Sequence, residues 1–393
     1  MSQPSLYSRL ARPSLLDVQP YVPGPTIAEA AAKYDVPVEK IIKLSSNENP
    51  LGPPPGALQA VDDALVDLHR YPDSRHHAVR RAIAEREGLA EENVMMGAGS
   101  TMVMSHIIRA FTAPGDEILA MDPSYPVYAE IAAAEDRRFV TIPLQDPFEL
   151  TLEAIAAAVT ERTRILFVTR PNNPTSRLVP LPMLREIIRT LPNTVVISDE
   201  AYIEFADDFR EQTAATLVRE GANVIVTRTL SKAFGMPSLR VGYGLAPADA
   251  VSLATRLESK WCIGDVAQYA AVGALGDTAH FEKTLGVVHA GRRYLREALA
   301  DIPGITVVPD PQANYLMLGV VGTGLVASEI VERMGREGIL IRAAEDAHGQ
   351  YMRDWLRISV GTMPENEACV AALRRVVAAG DRTDGADTLA RAR

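Results

Sequence analysis

From about residue 56 onward the chain alternates between short apolar runs and longer stretches with helical spacing of apolar residues. Apolar runs bounded by glycine, proline or asparagine predict buried strands, and the stretches between them predict helices. The predicted strands are "NVMMGAG", "EILAMDPS", "RFVTIPL", "TRILFVTRPNNP", "TVVISDEAYIEF" and "NVIVTRTLSKAF". Strands that alternate with helices in this way indicate an α/β domain with a mostly parallel sheet.

The two ends of the chain have different patterns. The first residues contain one predicted short helix, "TIAEAAAKYD", and the stretch after Val266 begins with a long helix and continues with strands "ITVVPD", "NYLMLGV" and "LRISVG". We therefore predict a large domain over 46–270 and a smaller α+β domain over 271–378. An N-terminal arm, 1–45, is expected to join the small domain, and 379–393 to be a flexible tail.

Composition excludes several classes of protein. A formal charge of −10 without a block of basic residues argues against a nucleic-acid partner. No run approaches the roughly 20 apolar residues of a membrane span, and the N-terminus lacks a signal-peptide core. Two cysteines, Cys262 and Cys369, provide no disulfide framework, so a reducing cytoplasm is the expected location. We assign no metal ligands.

Polar residues follow four of the predicted strands at the points where the strands end. These residues are Gly97, Ala98, Gly99 and Ser100; Asn172 and Asn173; Asp199 and Tyr202; and Thr229, Ser231 and Lys232. Ligands of open parallel sheets bind at the carboxyl ends of the strands. The four clusters are therefore expected to meet in one crevice.

Lys232 is unusual because only six of the forty basic residues are lysine. Arginine stays protonated at any working pH, whereas lysine can lose its proton and attack an aldehyde. The alternative for Lys232 is an ordinary surface lysine on a loop. Its position after a buried strand, on a turn rich in serine and threonine, favours the chemical role.

The other clusters offer groups that suit a phosphorylated pyridine aldehyde. The glycine-rich turn before Ser100 would expose its backbone amides to a phosphate. The alternative is that it only closes the corner between a strand and a helix. Asp199 would pair with a protonated ring nitrogen, or cap a helix. Asn173 would donate to a ring oxygen, or only form a turn, and Tyr125 would stack on the ring, or pack in the core. Together with Lys232 these groups indicate pyridoxal phosphate.

The motifs resemble those of a known family. "SDEAYIEF" followed by "TRTLSKAFGMPSLRVGY" is similar to fold-type-I pyridoxal-phosphate aminotransferases, and within them to the histidinol-phosphate aminotransferase family. "KLSSNENPLGPP", "RYPD", "PNNPT", "NYLML" and "LRISVG" match that family in order, and the resemblance covers about 20–377. It implies an α/β fold with a mostly parallel seven-stranded sheet flanked by helices in the large cofactor-binding domain.

The resemblance also implies a role for each matching residue. Lys232 would hold the cofactor as a Schiff base and then carry a proton, Asp199 would pair with the pyridine nitrogen, and Tyr125 would stack on the ring. Asn173 and Tyr202 would bind the phenolic oxygen. The phosphate would be held by Ala98, Gly99, Thr229, Ser231 and Arg240, and by Tyr71 of a neighbouring subunit in a homodimer with shared active sites.

Substrate recognition is implied less completely. Tyr21, Asn173, Arg342 and Arg357 would bind the substrate, with the arginines at its anionic end. The chain departs from the family at Arg170, at Ser176, where the family has glycine, and in "ESKWCIGDVAQ" at 258–268. If Trp261 and Asp265 faced the pocket, they would disfavour a phosphorylated imidazole and favour a basic or aromatic side chain.

Three functions remain open from the sequence. The first is an aminotransferase that moves an amino group from an amino acid or amino-alcohol phosphate to a 2-oxo acid such as 2-oxoglutarate. The second is an enzyme that uses the same cofactor for decarboxylation, elimination or oxidation. The third is a non-catalytic pyridoxal-phosphate-binding regulator, which the presence of both Lys232 and Asp199 argues against.

Overall fold

The computed structural model describes residues 5–16 and 24–390. Its strands are short, as expected for runs that end at polar or turn-forming residues. In chain order the strands are β1 (Ile42–Lys43), β2 (Val94–Ala98), β3 (Glu117–Asp122), β4 (Arg138–Pro143), β5 (Thr163–Thr169), β6 (Val195–Asp199), β7 (Val224–Thr229), β8 (Val241–Leu245), β9 (Thr306–Val307), β10 (Tyr315–Gly319), β11 (Ile339–Leu340), β12 (Arg342–Ala343) and β13 (Trp355–Ser359).

A seven-stranded sheet forms the centre of the molecule, in the order β2-β8-β7-β6-β5-β3-β4. Every neighbouring pair is parallel except the pairs made by β8, which runs antiparallel to both β2 and β7. The predicted mostly parallel sheet is confirmed. Strand β8 is absent from the sequence prediction because its sequence, "VGYGL", contains two glycines and is too short for a clear apolar pattern.

The helices cover the faces of this sheet and build the rest of the chain. They are α1 (Leu6–Leu10), α2 (Pro13–Leu16), α3 (Ile27–Tyr34), α4 (Pro55–Ala64), α5 (His77–Glu87), α6 (Ser100–Phe111), α7 (Val127–Ala134), α8 (Leu152–Ala158), α9 (Leu181–Thr190), α10 (Phe209–Gln212), α11 (Ala215–Arg219), α12 (Ala248–Ala254), α13 (Asp265–Gly276), α14 (Thr278–Ala300), α15 (Ala327–Arg336), α16 (Glu345–His348) and α17 (Met363–Ala390).

Two predictions about the chain ends differ from the structure. The arm has three short helices within its described part rather than one, because "LYSRL" and "PSLL" each form a single turn with no apolar periodicity to reveal it. Helix α17 continues through Ala390, so its backbone extends into the segment predicted to be a tail.

A second sheet lies in the C-terminal part of the chain. It has four antiparallel strands in the order β12-β13-β10-β9. Strand β1 pairs in parallel with β11, so residues 42–43 of the N-terminal part contact 339–340. Within residues 5–16 and 24–390 no helix is both long and apolar enough to cross a bilayer.

The register of the central sheet brings its polar strand ends together. Thr169 at the end of β5 lies beside Asp199 at the end of β6, and Asp199 lies beside Thr227 of β7. Lys232 follows three residues after β7 ends at Thr229. The edge of the sheet therefore places the polar groups predicted from the sequence side by side.

Candidate active site

A cavity of about 350 Å³ opens at the carboxyl ends of β5, β6 and β7. It is lined both by these strand ends and by segments from the C-terminal sheet. The predicted site residues that line it are Tyr125, Asn173, Asp199, Tyr202, Thr229, Ser231, Lys232, Arg240, Arg342 and Arg357. Most of the side chains selected from the sequence therefore face one space.

Lys232 lies in the wall of this cavity with its amine held in place. Its Nζ donates to the backbone oxygen of Ser46 at 3.1 Å and lies 5.6 Å from the centre of the Tyr202 ring. Burial, followed by the charge of Arg357, lowers the pKa of Lys232 to about 8. A larger fraction of this amine is neutral near neutral pH than for an exposed lysine, which suits a nucleophile.

Asp199 is a buried carboxylate at the end of β6. Its Oδ2 accepts from the hydroxyl of Tyr128 at 2.5 Å, and its Oδ1 accepts from Thr227 Oγ1 and from the Ala201 amide, both at 3.3 Å. Burial raises the pKa of Asp199 to about 6, although the bond from Tyr128 opposes the shift. Neutral donors alone thus hold this acid in the described structure, and a cationic ring nitrogen beside it would gain a charge partner.

A different group of residues forms the polar end of the cavity. Helix α6 begins at Ser100, directly after Gly99, whose φ of +82° a residue with a Cβ adopts only with strain. A Cβ on Gly99 would lie 2.6 Å from Nη2 of Arg240, so the guanidinium lies close to this turn. A helix N-terminus beside an arginine is suited to a phosphate.

The serine and threonine after β7 complete this polar end. Thr229 Oγ1 donates to Ser231 Oγ at 2.9 Å, and the Ser231 amide donates to Thr229 Oγ1 at 3.1 Å. Both residues line the cavity together with Ser100 and Thr101. Ala98 ends β2 next to this group, and neither Ala98 nor Gly99 lines the cavity itself, so the role of their amides at a phosphate stays a prediction.

Asn173 and Tyr202 are oriented by neighbouring side chains, of which the sequence analysis identified Arg357 but not Asn47 or Ser359. Arg357 Nη1 donates to Asn173 Oδ1 at 2.8 Å, which leaves the amide nitrogen of Asn173 as its donor toward the cavity. Asn47 Nδ2 donates to the hydroxyl of Tyr202 at 3.2 Å. Asn47 is itself held by Ser359, through bonds of 2.9 Å and 3.0 Å.

Two arginines face each other at the other end of the cavity. Arg342 of β12 and Arg357 of β13 are direct cross-strand partners, and both line the cavity. Like charges directly opposite each other destabilise a strand pair, so this arrangement favours binding of an anion between them. Asp346 lies 3.4 Å from Arg342 Nε and offsets part of the charge.

Tyr21, the other predicted substrate residue, lies outside the described residues.

His348 adjoins the arginines in a smaller neighbouring cavity that also contains Tyr125 and Asn173. Burial, followed by the charges of Arg357 and Arg342, lowers the pKa of His348 to about 4. The imidazole is therefore neutral at neutral pH and offers one N–H donor. His348 could not be predicted from the sequence, because its helix, α16, is only four residues long and has no periodic pattern.

Tyr71 does not lie in this cavity. Its side chain is 82% exposed, and its ring centre lies 5.0 Å from that of Trp261. Both rings stand on the surface beside α4 and α13. Tyr71 therefore contributes no contact to the cavity of Lys232 in its own chain.

Two of the three departures from the family pattern do not concern substrate. Arg170 is fully buried in an ion pair of 2.9 Å with Glu200, and its Nε donates to the oxygen of Val179. Ser176 Oγ accepts from the amides of Gln312 and Ala313 at 3.1 Å and 2.8 Å. The sequence connected both residues with substrate choice, and that interpretation is wrong, because neither lines the cavity.

The third departure, the loop at 258–264 with Asp265, also lies outside the cavity of Lys232. Asp265 is the first residue of α13 and lines a surface groove with Tyr71 and Gln268. Trp261 is half exposed. Neither this acid nor this indole lines the cavity of Lys232 in the described chain, which agrees with the alternative of a loop that points away from it.

Several residues of the site were missed in the sequence. They are Lys43, Ser45, Ser46, Asn47, Thr101 and Thr169, which line the cavity, and Tyr128, which holds Asp199. Some signal was present, because 43–47 lie within the motif "KLSSNENP". Tyr128 lies on α7 in an apolar stretch, where a tyrosine predicts only core packing.

Comparison with known proteins agrees with this geometry. Residues 39–373 match the family "Aminotransferase class I and II". The histidinol-phosphate aminotransferase of Anaeromyxobacter sp. (strain Fw109-5) is 36% identical over 94% of this chain and 100% of its own length. That of Moorella thermoacetica is 35% identical over 93% of both chains.

Solved structures give the same result. The histidinol-phosphate aminotransferase from Sinorhizobium meliloti in complex with pyridoxal-5'-phosphate is similar with a TM-score of 0.81 and 25% identity, over 93% of this chain and 97% of that one. The nucleophilic lysine, the buried aspartate and the anion-binding turn found here fit that cofactor. This chain belongs to the class I and II aminotransferases and is a fold-type-I enzyme that uses pyridoxal phosphate to transfer amino groups.

Proposed function

We propose that this aminotransferase takes its amino group from an amino-alcohol phosphate of the histidinol-phosphate type and passes it to a 2-oxo acid such as 2-oxoglutarate. The opposed pair Arg342 and Arg357 carries the proposal, because both arginines face the cavity that contains Lys232. The phosphate of the donor and the carboxylates of the acceptor would bind in turn to this pair of arginines. The names of the relatives at 34–36% identity support this choice of donor.

Pyridoxal phosphate would lie between the polar turn at Gly99 and the amine of Lys232. When bound, the cofactor supplies an aldehyde for the amino group and a ring that withdraws electrons from the substrate. Asp199 would keep the ring nitrogen protonated, since its buried carboxylate stabilises a neighbouring positive charge. Ser231 and Arg240 would hold the phosphate, and Asn173 and Tyr202 the ring oxygen.

Lys232 would act as nucleophile first and as proton carrier afterwards. Its amine would hold the cofactor covalently and, when free, would take the proton from the substrate's α-carbon and return it. The lowered pKa of Lys232 suits both tasks, because the amine must be able to accept and return a proton near neutral pH. The walls formed by Tyr125 and Tyr202 would limit the access of water to this proton.

We infer that the active unit is a homodimer whose subunits share their sites. The exposed Tyr71 supports this inference, as do exposed apolar side chains around it, because exposed apolar patches mark interaction sites. These side chains are Leu65, Val66, Leu68, Trp261, Tyr269 and Val272. Tyr71 would then reach the phosphate of the partner's cofactor.

We further propose the organisation predicted from the sequence: a large domain over 46–270, a small one over 271–378, and an arm joined to the small domain. The separate seven-stranded and four-stranded sheets support the division, and the pairing of β1 with β11 supports the position of the arm. Both cysteines are free, which supports a cytoplasmic location.

A panel of amino donors tests the proposed reaction. Histidinol phosphate, histidinol, and basic and aromatic amino acids would each be mixed with the holoenzyme and 2-oxoglutarate, and glutamate formation measured. We expect the highest kcat/KM with histidinol phosphate, and a loss of at least about tenfold when the phosphate is absent. A preference for an uncharged or basic donor would contradict the substrate, and release of CO₂ or ammonia without glutamate would contradict the reaction type.

Subunit mixing tests the shared site. Lys232→Ala and Tyr71→Ala subunits would be unfolded together, refolded and supplied with cofactor. Random pairing makes half of the dimers hybrid, and each hybrid has one intact site, so we expect about one quarter of the wild-type activity. Repeating the mixture with Tyr71→Phe instead of Tyr71→Ala shows whether the hydroxyl or the aromatic ring of Tyr71 is required. No recovery despite mass-spectrometric proof of hybrids would contradict a shared site.

A further inference from the structure

A histidine, a glutamate and a cysteine from two distant segments meet outside the active-site cavity. One ring nitrogen of His76, one carboxylate oxygen of Glu258 and the Sγ of Cys262 all lie within 4.8 Å of one another. His76 Nε2 and Glu258 Oε1 are 3.0 Å apart. None of the three residues lines the cavity of Lys232, so the cluster has no part in the reaction described above.

The cluster is largely withdrawn from solvent. The side chain of His76 is 2% exposed and that of Glu258 is 12% exposed. The Nδ1 atom of His76 is buried without a hydrogen-bond partner in the described structure. A buried polar atom of this kind costs free energy unless a ligand or a change of ring position satisfies it.

The three donors suit a positive charge among them, because a carboxylate and a thiol lie beside a buried imidazole. A divalent ion would bind the neutral imidazole and the carboxylate and would convert the thiol to a thiolate with release of its proton. With neutral His76, the two negative ligands would then balance the charge of the metal.

We propose that His76, Glu258 and Cys262 bind a divalent cation of the zinc type. Nitrogen, oxygen and sulfur ligands are those that Zn²⁺ uses in proteins, at about 2.0–2.3 Å. Tetrahedral ligands at such lengths are about 3.3–3.6 Å apart. The His76 and Glu258 atoms at 3.0 Å would separate slightly and atoms as far as 4.8 Å apart would approach by about 1.2–1.5 Å, which side-chain rotations supply. A neighbouring cavity of about 340 Å³, lined by His76 and Glu258, has space for a water molecule as the fourth ligand.

Such an ion would join two segments that surround Tyr71. His76 follows the segment that carries Tyr71, and Glu258 and Cys262 flank Trp261, which packs on the Tyr71 ring. Gln268 Nε2 already connects these segments by donating to the oxygens of Asp73 and Ile263 at 3.0 Å and 2.9 Å. The metal would therefore fix the loop at 258–264 to the segment at 70–77.

Metal analysis of the untagged holoenzyme tests the proposal. The protein would be stripped with a chelator, incubated with Zn²⁺, passed through a desalting column and measured by mass spectrometry of the metal. We expect one Zn²⁺ per chain that survives a micromolar chromogenic chelator. X-ray absorption at the zinc edge should show one sulfur at about 2.3 Å and nitrogen or oxygen at about 2.0 Å. Failure to retain zinc, or a first shell without sulfur, would overturn the proposal.

Four variants locate the ion. Cys262→Ala and His76→Asn should weaken Zn²⁺ binding by at least about 100-fold, since each removes a ligand. Cys369→Ala and His77→Asn remove a thiol and an imidazole elsewhere and should leave the affinity unchanged. Circular dichroism would establish that each variant is folded. If His76→Asn fails to fold, the X-ray absorption spectrum of the wild type still shows whether the ion has the predicted ligands. Equal zinc affinity in Cys262→Ala would place the ion elsewhere and contradict the site.

Discussion

The two ends of the active-site cavity are built in different ways. At the cofactor end, Asp199, Thr229 and Lys232 follow adjacent strands of one parallel sheet. At the substrate end, Arg342 and Arg357 come from a different sheet. Arg357 donates to a backbone oxygen and an amide oxygen of other segments, and Arg342 is paired with Asp346. The cofactor end is thus determined by local sequence and sheet order, whereas the substrate end depends on how distant segments pack.

The two ends also differ in their electrostatics. At the cofactor end burial acts on single groups, so that it raises the pKa of Asp199 and lowers that of Lys232. At the substrate end two cations oppose each other, and with burial they lower the pKa of His348. One end is prepared for proton transfer and the other for an anion. Variants should therefore alter kcat at the cofactor end and KM at the substrate end.

The largest effect is expected for Lys232→Ala. Without the amine that carries the proton, kcat should fall by about 10³-fold, while cofactor is retained through Arg240 and Ser231. Single-turnover kinetics with the preferred donor measures the loss. Lys260→Ala, which removes an exposed lysine outside the cavity, is the matched control. A loss of less than tenfold would mean that another amine, such as that of Lys43, performs the transfer.

Asp199→Asn should have the next largest effect. The amide keeps the size of the side chain but removes the charge that holds the ring nitrogen protonated, at a cost of about 3 kcal/mol, or on the order of 100-fold in kcat. Tyr128 should still donate to the remaining oxygen, so the fold should persist. Rates of the half-reaction within a few-fold of wild type would remove Asp199 from the mechanism.

Arg357→Lys should act mainly on substrate binding. Arg357 donates to Asn173 Oδ1 at 2.8 Å and to the oxygen of Ser45 at 2.7 Å, and a single ammonium cannot reproduce this planar fork. We expect KM for the donor to rise about tenfold with a smaller change in kcat. The opposite result, a fall in kcat with unchanged KM, would show that Arg357 serves the cofactor end through Asn173.

Ser176→Gly should have the smallest effect and separates structure from chemistry. The variant relieves a positive φ of 62° but removes the hydroxyl that accepts from the amides of Gln312 and Ala313. The Gln312 amide keeps the backbone oxygen of residue 176 as an acceptor at 2.8 Å, whereas the Ala313 amide loses its acceptor. The lost bonds outweigh the relief of strain, so unfolding should require about 1 kcal/mol less free energy. Urea denaturation measures this difference. A changed KM would contradict the assignment of Ser176 to the framework alone.

The sequence reveals one end of the cavity better than the other for a physical reason. Parallel strands end at a common edge, so Asp199 and Lys232 can be located from apolar runs alone. The partners that tune these groups come from other elements. Tyr128 reaches Asp199 from α7, and Asn47 reaches Tyr202 from the N-terminal part of the chain. Such contacts have no periodic signal.

Residues that depart from the family pattern were misinterpreted for a related reason. Arg170 follows a strand at the correct edge, but its side chain forms a buried ion pair with Glu200. Asp265 does not line the cavity of its own chain, because α13 directs it to the surface groove of Tyr71. A residue that departs from the family pattern is visible in the sequence, but the packing of the chain decides whether its side chain contacts substrate.

The identity of the covalently bound lysine tests the central claim most directly. Two lysines, Lys43 and Lys232, line the cavity, and Lys43 is paired with Glu48 at 2.9 Å. The holoenzyme would be reduced with borohydride, digested, and its peptides examined by mass spectrometry for the pyridoxyl group. We predict one labelled site, Lys232, at close to one group per chain. A label on Lys43 or Lys260 instead would contradict the assignment of the cofactor end and of every role that depends on it.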